Sequence, residues 1–95
     1  MASNGAYTQN SDIRLKKDIQ TVDGLDMVMK LRGVRFVWKK TNTPDIGVIA
    51  QDVAKVAPEL VHTDTTGTKS VAYANLVAPL IEAVNLTIYP DPTLP

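Results

Sequence analysis

The chain has 95 residues, with ten acidic and ten basic side chains and a formal net charge of zero at neutral pH. This length allows one small domain with a thin core, for which self-association is a common remedy. Balanced charge argues against a nucleic-acid-binding protein, which normally carries a basic excess. With no cysteine and one histidine, His62, we expect no disulfide, no metal site and no cofactor. No apolar run approaches the ~20 residues of a membrane span.

The N-terminal part of the chain is polar. Residues 1–10 predict a leader or the end of a preceding domain. Ser11–Asp18 alternates loosely between apolar and charged side chains, which predicts a short strand or an extended arm. Residues five apart in an extended segment face opposite sides, so Ser11 and Lys16 can meet only across a turn or bulge.

The next segments alternate between helical and extended patterns. Asp23 is predicted to cap a helix over Gly24–Leu31, and Gly33 to end it. Val34–Lys39 is β-branched and aromatic and predicts a half-buried strand. Thr41–Asp45 contains a proline and predicts a turn.

The second half of the chain has the same mixed character. Ala50–Val56 predicts a short helix, because Pro58 disfavours helical geometry at Ala57. The other predicted elements are strands over Ile46–Ile49, Glu59–Thr63 and Ser70–Tyr73, a turn over Asp64–Lys69 and a helix over Asn75–Leu86.

These short elements indicate a small α+β domain without room for repeated βαβ units. We place the domain at residues 11–86 and an irregular, proline-containing tail at residues 87–95. The few strands cannot cover the apolar positions of both helices, so leftover apolar surface predicts self-association. Those positions are Leu25, Val28 and Met29 in the first helix and Leu76, Val77, Leu80, Ile81 and Val84 in the last.

Ser11 and Lys16 are the candidate catalytic pair. A serine becomes a nucleophile when a neighbouring base takes its proton, and a lysine can be that base where burial lowers its pKa. The spacing alone carries little weight, because many serines have a lysine within five residues. The simpler alternative is a solvated, charged segment.

Several motifs together give the pair more weight. The chain resembles the C-terminal intramolecular chaperone domain of phage endosialidases, tail spikes and tail fibres, the peptidase S74 family. The resemblance extends from Ser11 to about Val84. The motifs are Ser11-Asp12-x-Arg14-x-Lys16, Ile46-Gly47-Val48-Ile49-Ala50-Gln51-Asp52-Val53, Pro58-Glu59-Leu60-Val61 and Val71-Ala72-Tyr73-x-x-Leu76-x-x-x-Leu80-Ile81-Glu82-Ala83.

The resemblance implies a function and a pair of partners. Members of this family form homotrimers, promote folding of the preceding fibre or spike domain, and then release themselves by autoproteolysis. The implied cleavage site is the Asn10–Ser11 bond, and Ser11 and Lys16 match the catalytic serine–lysine dyad, whereas Lys17 is out of register. The implied location is a virion tail precursor, assembled in the bacterial host cytoplasm and released after cleavage.

Three further residues are candidates for supporting roles. Gln51, or backbone N–H groups near it, could donate to an oxyanion, although its simpler role is to cap or bridge the start of its short helix. Arg14 could pair with Asp12 or Asp52 and order the arm, or remain solvated.

The chain departs from the family at its C-terminal end. Family members usually continue into a long helix that forms a three-helix stalk, whereas here the helical pattern stops near Leu86 and prolines follow. Two interpretations therefore stay open. The first is a self-cleaving chaperone, and the second is a trimerisation or folding module without proteolytic activity.

Overall fold

The computed structural model describes residues 8–88 and has a mixed helical and stranded, α+β fold in a single small domain. Most of the predicted leader and tail lies outside these residues. The strands are β1 (Val34–Trp38), β2 (Thr43–Gly47), β3 (Val61–Thr63) and β4 (Lys69–Val71), and the helices are α1 (Gly24–Met29), α2 (Ala50–Val56) and α3 (Val77–Ile88). Single 3₁₀ turns occupy Ile13–Leu15, Pro58–Leu60 and Tyr73–Leu76.

The described strands form two separate antiparallel hairpins. In the first, Val34 of β1 lies opposite Gly47 of β2. In the second, Val61 of β3 lies opposite Val71 of β4. The turn of the second hairpin is ordered by Asp64, whose Oδ1 accepts from the backbone N–H groups of two threonines, and by Gly67 at φ 87°. This left-handed conformation favours glycine.

Helices α1 and α3 pack closely against each other at Gly24. A Cβ atom at this position would clash with the carbonyl oxygen of Pro79 and lie 2.7 Å from the Cβ of Glu82. Glycine is therefore required for the close approach of the two helices. The fully or nearly buried apolar side chains of the described residues are few, namely Val53, Ala57 and Ala83.

Much apolar surface is left uncovered, as the sequence predicts for a chain this short. On α3, Val77, Leu80, Ile81 and Val84 are between 41% and 53% exposed, and we call these four residues the α3 apolar face. Within residues 8–88, no helix is long and apolar enough to cross a bilayer.

Three predictions about the first half of the chain were wrong in detail. Ser11–Asp18 was predicted as a short strand or an extended arm, and it contains no strand but a 3₁₀ turn over Ile13–Leu15, which the side chain of Asp12 caps. Helix α1 ends at Met29, and the backbone N–H of Lys30 closes it, so Gly33 is not its cap. Pro44 lies within β2 rather than in a turn, which is tolerated because β2 is an edge strand.

The later boundaries also differ. The segment before β3 forms a 3₁₀ turn with Pro58 in its first position, where a proline fits. Tyr73 leaves the predicted strand and begins the 3₁₀ turn that leads into α3. Helix α3 extends to Ile88, two residues beyond the predicted end, and the Thr87 hydroxyl donates to the carbonyl of Ala83. The prediction for α2 is confirmed at both ends.

Candidate functional site

The arm, residues 8–18, is shaped by one local turn. The backbone N–H of Arg14 donates to Oδ1 of Asp12 at 2.9 Å, which is a side-chain N-cap. The N–H of Leu15 donates to the carbonyl of Asp12 at 3.0 Å, and that of Lys16 to the carbonyl of Ile13 at 3.1 Å. The turn therefore lies between Ser11 and Lys16 and allows their side chains to point toward each other.

Across this turn, Ser11 and Lys16 meet. Nζ of Lys16 lies 2.8 Å from Oγ of Ser11, within hydrogen-bond distance. The sequence allowed such a contact only across a turn or bulge, and a turn is what the structure contains. The geometry is that of a nucleophile and its base, although the catalytic role of both residues stays a prediction.

Asp12 forms an ion pair with Arg14, while Lys16 contacts Ser11. Nε of Arg14 contacts both carboxylate oxygens of Asp12, and Nη2 lies 2.8 Å from Oδ2. These side-chain hydrogen bonds from Arg14 lower the pKa of the Asp12 carboxyl, and the backbone N–H of Arg14 adds to the effect. Because the pair is exposed, we assign its role to ordering the arm rather than to stability.

An open groove of about 600 Å³ lies beside the pair, with walls from two parts of the chain. The arm contributes Gln9, Asn10, Ser11 and Lys16. The body of the domain contributes Leu60, Ala74, Asn75, Val77, Ala78 and Ile81. The residues on both sides of the predicted cleavage bond therefore line the same groove as the predicted base.

Residues 8–88 do not supply the desolvation of Lys16 that a catalytic base needs. Both Ser11 and Lys16 are exposed, whereas we expected a partly desolvated pocket. The physical reason is that the arm has no buried residue of its own and covers only one side of the groove. Any burial of Lys16 must come from a surface other than those of residues 8–88.

Gln51 lines a different groove from Ser11. Its neighbours there include Phe36, Trp38 and Tyr73, so the single chain does not bring Gln51 to the Asn10–Ser11 bond. The segment just before α2 is held instead by Tyr73, whose hydroxyl accepts from the backbone N–H of Val48 at 3.0 Å. A supporting role for Gln51 stays a prediction.

The remaining charged candidates have simple surroundings. Asp52 pairs with Arg32 at 3.8 Å rather than with Arg14. His62 is exposed on β3, opposite Ser70. Among residues 8–88, no three histidine or acidic side chains cluster as a metal site would require.

Sequence reasoning missed Asn75, the polar side chain on the body side of the groove. It lies in the 3₁₀ turn before α3, two residues after Tyr73. An asparagine before an apolar helix is expected as a cap or a turn residue, so the sequence contains no signal that it faces the arm. Only the fold places it there.

Comparison with known proteins gives one family. The family model described as chaperone of endosialidase, peptidase S74, matches residues 11–62, which is more than half of the 95-residue chain. No curated protein gives a significant match. The matched segment begins at Ser11 and includes the arm from that residue onward, the first hairpin and α2. It confirms the family inferred from the motifs, although the motif from Val71 to Ala83 lies beyond the matched residues. The chain belongs to the peptidase S74 family of endosialidase chaperones.

Proposed function

We propose that this chain is an intramolecular chaperone that promotes trimerisation and folding of a preceding phage tail fibre or tail spike domain. It then releases itself by cutting the Asn10–Ser11 bond in a single turnover. The observation that carries the proposal is the 2.8 Å contact between Lys16 and Ser11, beside Asn10 in one groove. Family membership supports the chaperone role.

The first chemical step is an attack within the chain. Oγ of Ser11 attacks the carbonyl carbon of Asn10, while Lys16 in its neutral form takes the hydroxyl proton. No substrate has to bind, because nucleophile and carbonyl are on adjacent residues. In well-oriented cases such proximity contributes about 7–11 kcal/mol of the barrier.

The second step breaks the peptide bond. The tetrahedral oxyanion collapses, and the C–N bond breaks as Lys16 returns the proton to the amide nitrogen of Ser11. The Asn10 acyl group is then held as an ester on Oγ of Ser11. Water hydrolyses this ester and leaves a carboxylate on Asn10 and a free amine and hydroxyl on Ser11.

Assembly would supply the desolvation of Lys16 that residues 8–88 of one chain do not provide. Val77 and Ile81 line the groove and also belong to the α3 apolar face, so the two surfaces are continuous. A neighbouring copy packed on that face would cover apolar area and close the open side of the groove. A neutral Lys16 is favoured by such burial, which couples cleavage to trimer formation.

The test is expression of the domain fused to its native upstream domain, as wild type and as Ser11→Ala. We expect the wild type to yield two fragments on a gel and the variant to stay uncut, with both trimeric by light scattering. Equal processing of the two proteins would refute self-cleavage. A trimeric wild type that never cuts would favour the alternative, a folding module without proteolytic activity.

A further inference from the structure

We propose that Asn75 is the hydrogen-bond donor that stabilises the oxyanion formed on the Asn10 carbonyl. This inference rests on the proposed self-cleavage and adds a residue to it. The dyad alone provides a nucleophile and a base, whereas acyl transfer also needs a donor aimed at the developing negative charge.

The composition of the groove carries the inference. Its arm side contains the reacting groups and their flanking residue Gln9. Among the described residues of the body side, five have apolar side chains, and Asn75 alone has a polar one. A carbonyl of Asn10 turned toward the body of the domain therefore meets one side chain that can donate a hydrogen bond.

The side chain of Asn75 is also available for this role. Its backbone N–H donates to the carbonyl of Ala72 at 3.0 Å and so fixes the residue in its turn. Among residues 8–88, its side-chain amide has no hydrogen-bond partner, whereas an amide NH₂ group can donate twice. The backbone of Asn75 is therefore held in place while its side-chain NH₂ group is free to donate, as stabilisation of a transient oxyanion requires.

The alternative donor from the sequence is less well placed. Gln51 lines the groove of Phe36 and Trp38 and not that of Ser11, so within one chain it is separated from the Asn10 carbonyl by the fold. Asn75 needs no neighbouring copy to reach the groove. The two candidates can be separated by substitution.

The experiment compares single-turnover cleavage rates of the full upstream fusion as wild type, Asn75→Ala, Asn75→Asp and Asn42→Asp. Asn42 is an exposed amide in the turn between β1 and β2, outside both the groove and the α3 apolar face, and is the matched control. We expect Asn75→Ala to slow cleavage about 10²–10³-fold, as loss of one oxyanion donor does elsewhere. Asn75→Asp keeps nearly the size of the asparagine side chain, yet we expect it to be slower still at neutral pH, because a carboxylate repels the oxyanion.

If the role of Asn75 were only structural, the cleavage rates of the two variants would rank differently. If Asn75 only shaped the turn, the N75D variant would cut at least as fast as the N75A variant. Protonation also makes the carboxyl group of N75D a donor, so the ratio of the N75D rate to the N75A rate should rise as pH falls from about 8 to about 5.

Three outcomes decide the matter. Slow Asn75 variants that remain trimeric, with a normal Asn42→Asp control, support the inference. Asn75 variants that cut at the wild-type rate overturn it while leaving the proposed function intact. A wild-type fusion that stays uncut overturns the proposed function itself, and this inference with it.

Discussion

Gly24→Ala is predicted to force α1 and α3 apart. The new methyl group would clash with the carbonyl oxygen of Pro79 and lie 2.9 Å from its carbonyl carbon. Both atoms belong to the backbone, so no side-chain rotation can relieve the contact. Since few side chains of the described chain are buried, the α1–α3 contact is a large part of its packing.

The size of the effect follows from two opposing terms. Overpacking of this kind costs about 3 kcal/mol at the upper end of the usual range. Replacing glycine by alanine in a helix returns up to about 1 kcal/mol. We therefore expect a net loss of about 2 kcal/mol in the free energy of unfolding. With a urea dependence of about 1 kcal/mol per molar for a domain this small, the unfolding midpoint should fall by about 2 M.

The assay is urea unfolding in a Ser11→Ala background, at one fixed protein concentration because association adds to stability. Gly33→Ala is the matched control, since a Cβ there has nothing within 4 Å. We expect that control to be neutral or slightly stabilising. A Gly24→Ala midpoint equal to that of the control would show that the close approach of the helices is not required.

Three further predictions concern the site, the assembly and acid stability. Lys16→Arg should abolish cleavage of the fusion, because arginine keeps its proton in proteins and cannot act as a base. Lys17→Arg should be cleaved normally. If the two variants behave alike on a gel, Lys16 is not the base. Leu80→Asp should break the trimer and stop cleavage together, and a monomer that still cuts, by light scattering and mass spectrometry on one sample, would disprove the coupling. Hydrogen bonds in the folded state lower the pKa of the carboxyl groups of Asp12, Asp45 and Asp64. The free energy of unfolding should therefore fall as the pH drops below 3.8, the ordinary carboxyl pKa, because these groups must then be protonated. Asp64→Asn should weaken that pH dependence, as measured by thermal unfolding, and an unchanged pH dependence would contradict this assignment.

The parts of the fold that the sequence predicted well are set by local chemistry. Helix α2 was placed correctly because the proline after it prevents continuation. The second hairpin was found from its polar turn around Gly67, which needs a positive φ. In the arm, however, the alternation of apolar and charged residues predicted a short strand or an extended arm. The side chain of Asp12 caps a 3₁₀ turn there instead, and this local hydrogen bond outweighs the weak alternation.

The site was predictable only in part, for a similar reason. Ser11 and Lys16 are close in sequence and belong to a recognisable motif, so the motif alone predicts their pairing. Asn75 lines the groove because the turn before α3 lies beside the arm. This is a tertiary contact, which the spacing of apolar residues in the sequence cannot predict. The exposure of Lys16 likewise depends on which surfaces cover the groove, a property of tertiary and quaternary packing.

The central claim is that Ser11 itself attacks the Asn10 carbonyl and forms an ester. The most direct measurement is mass spectrometry of the released upstream fragment after cleavage of the fusion in neutral hydroxylamine. Hydroxylamine intercepts an ester, so the account predicts a fragment that ends in a hydroxamate on Asn10, and no such fragment from Ser11→Ala. A fragment that ends only in a carboxylate, or at another residue, would contradict it.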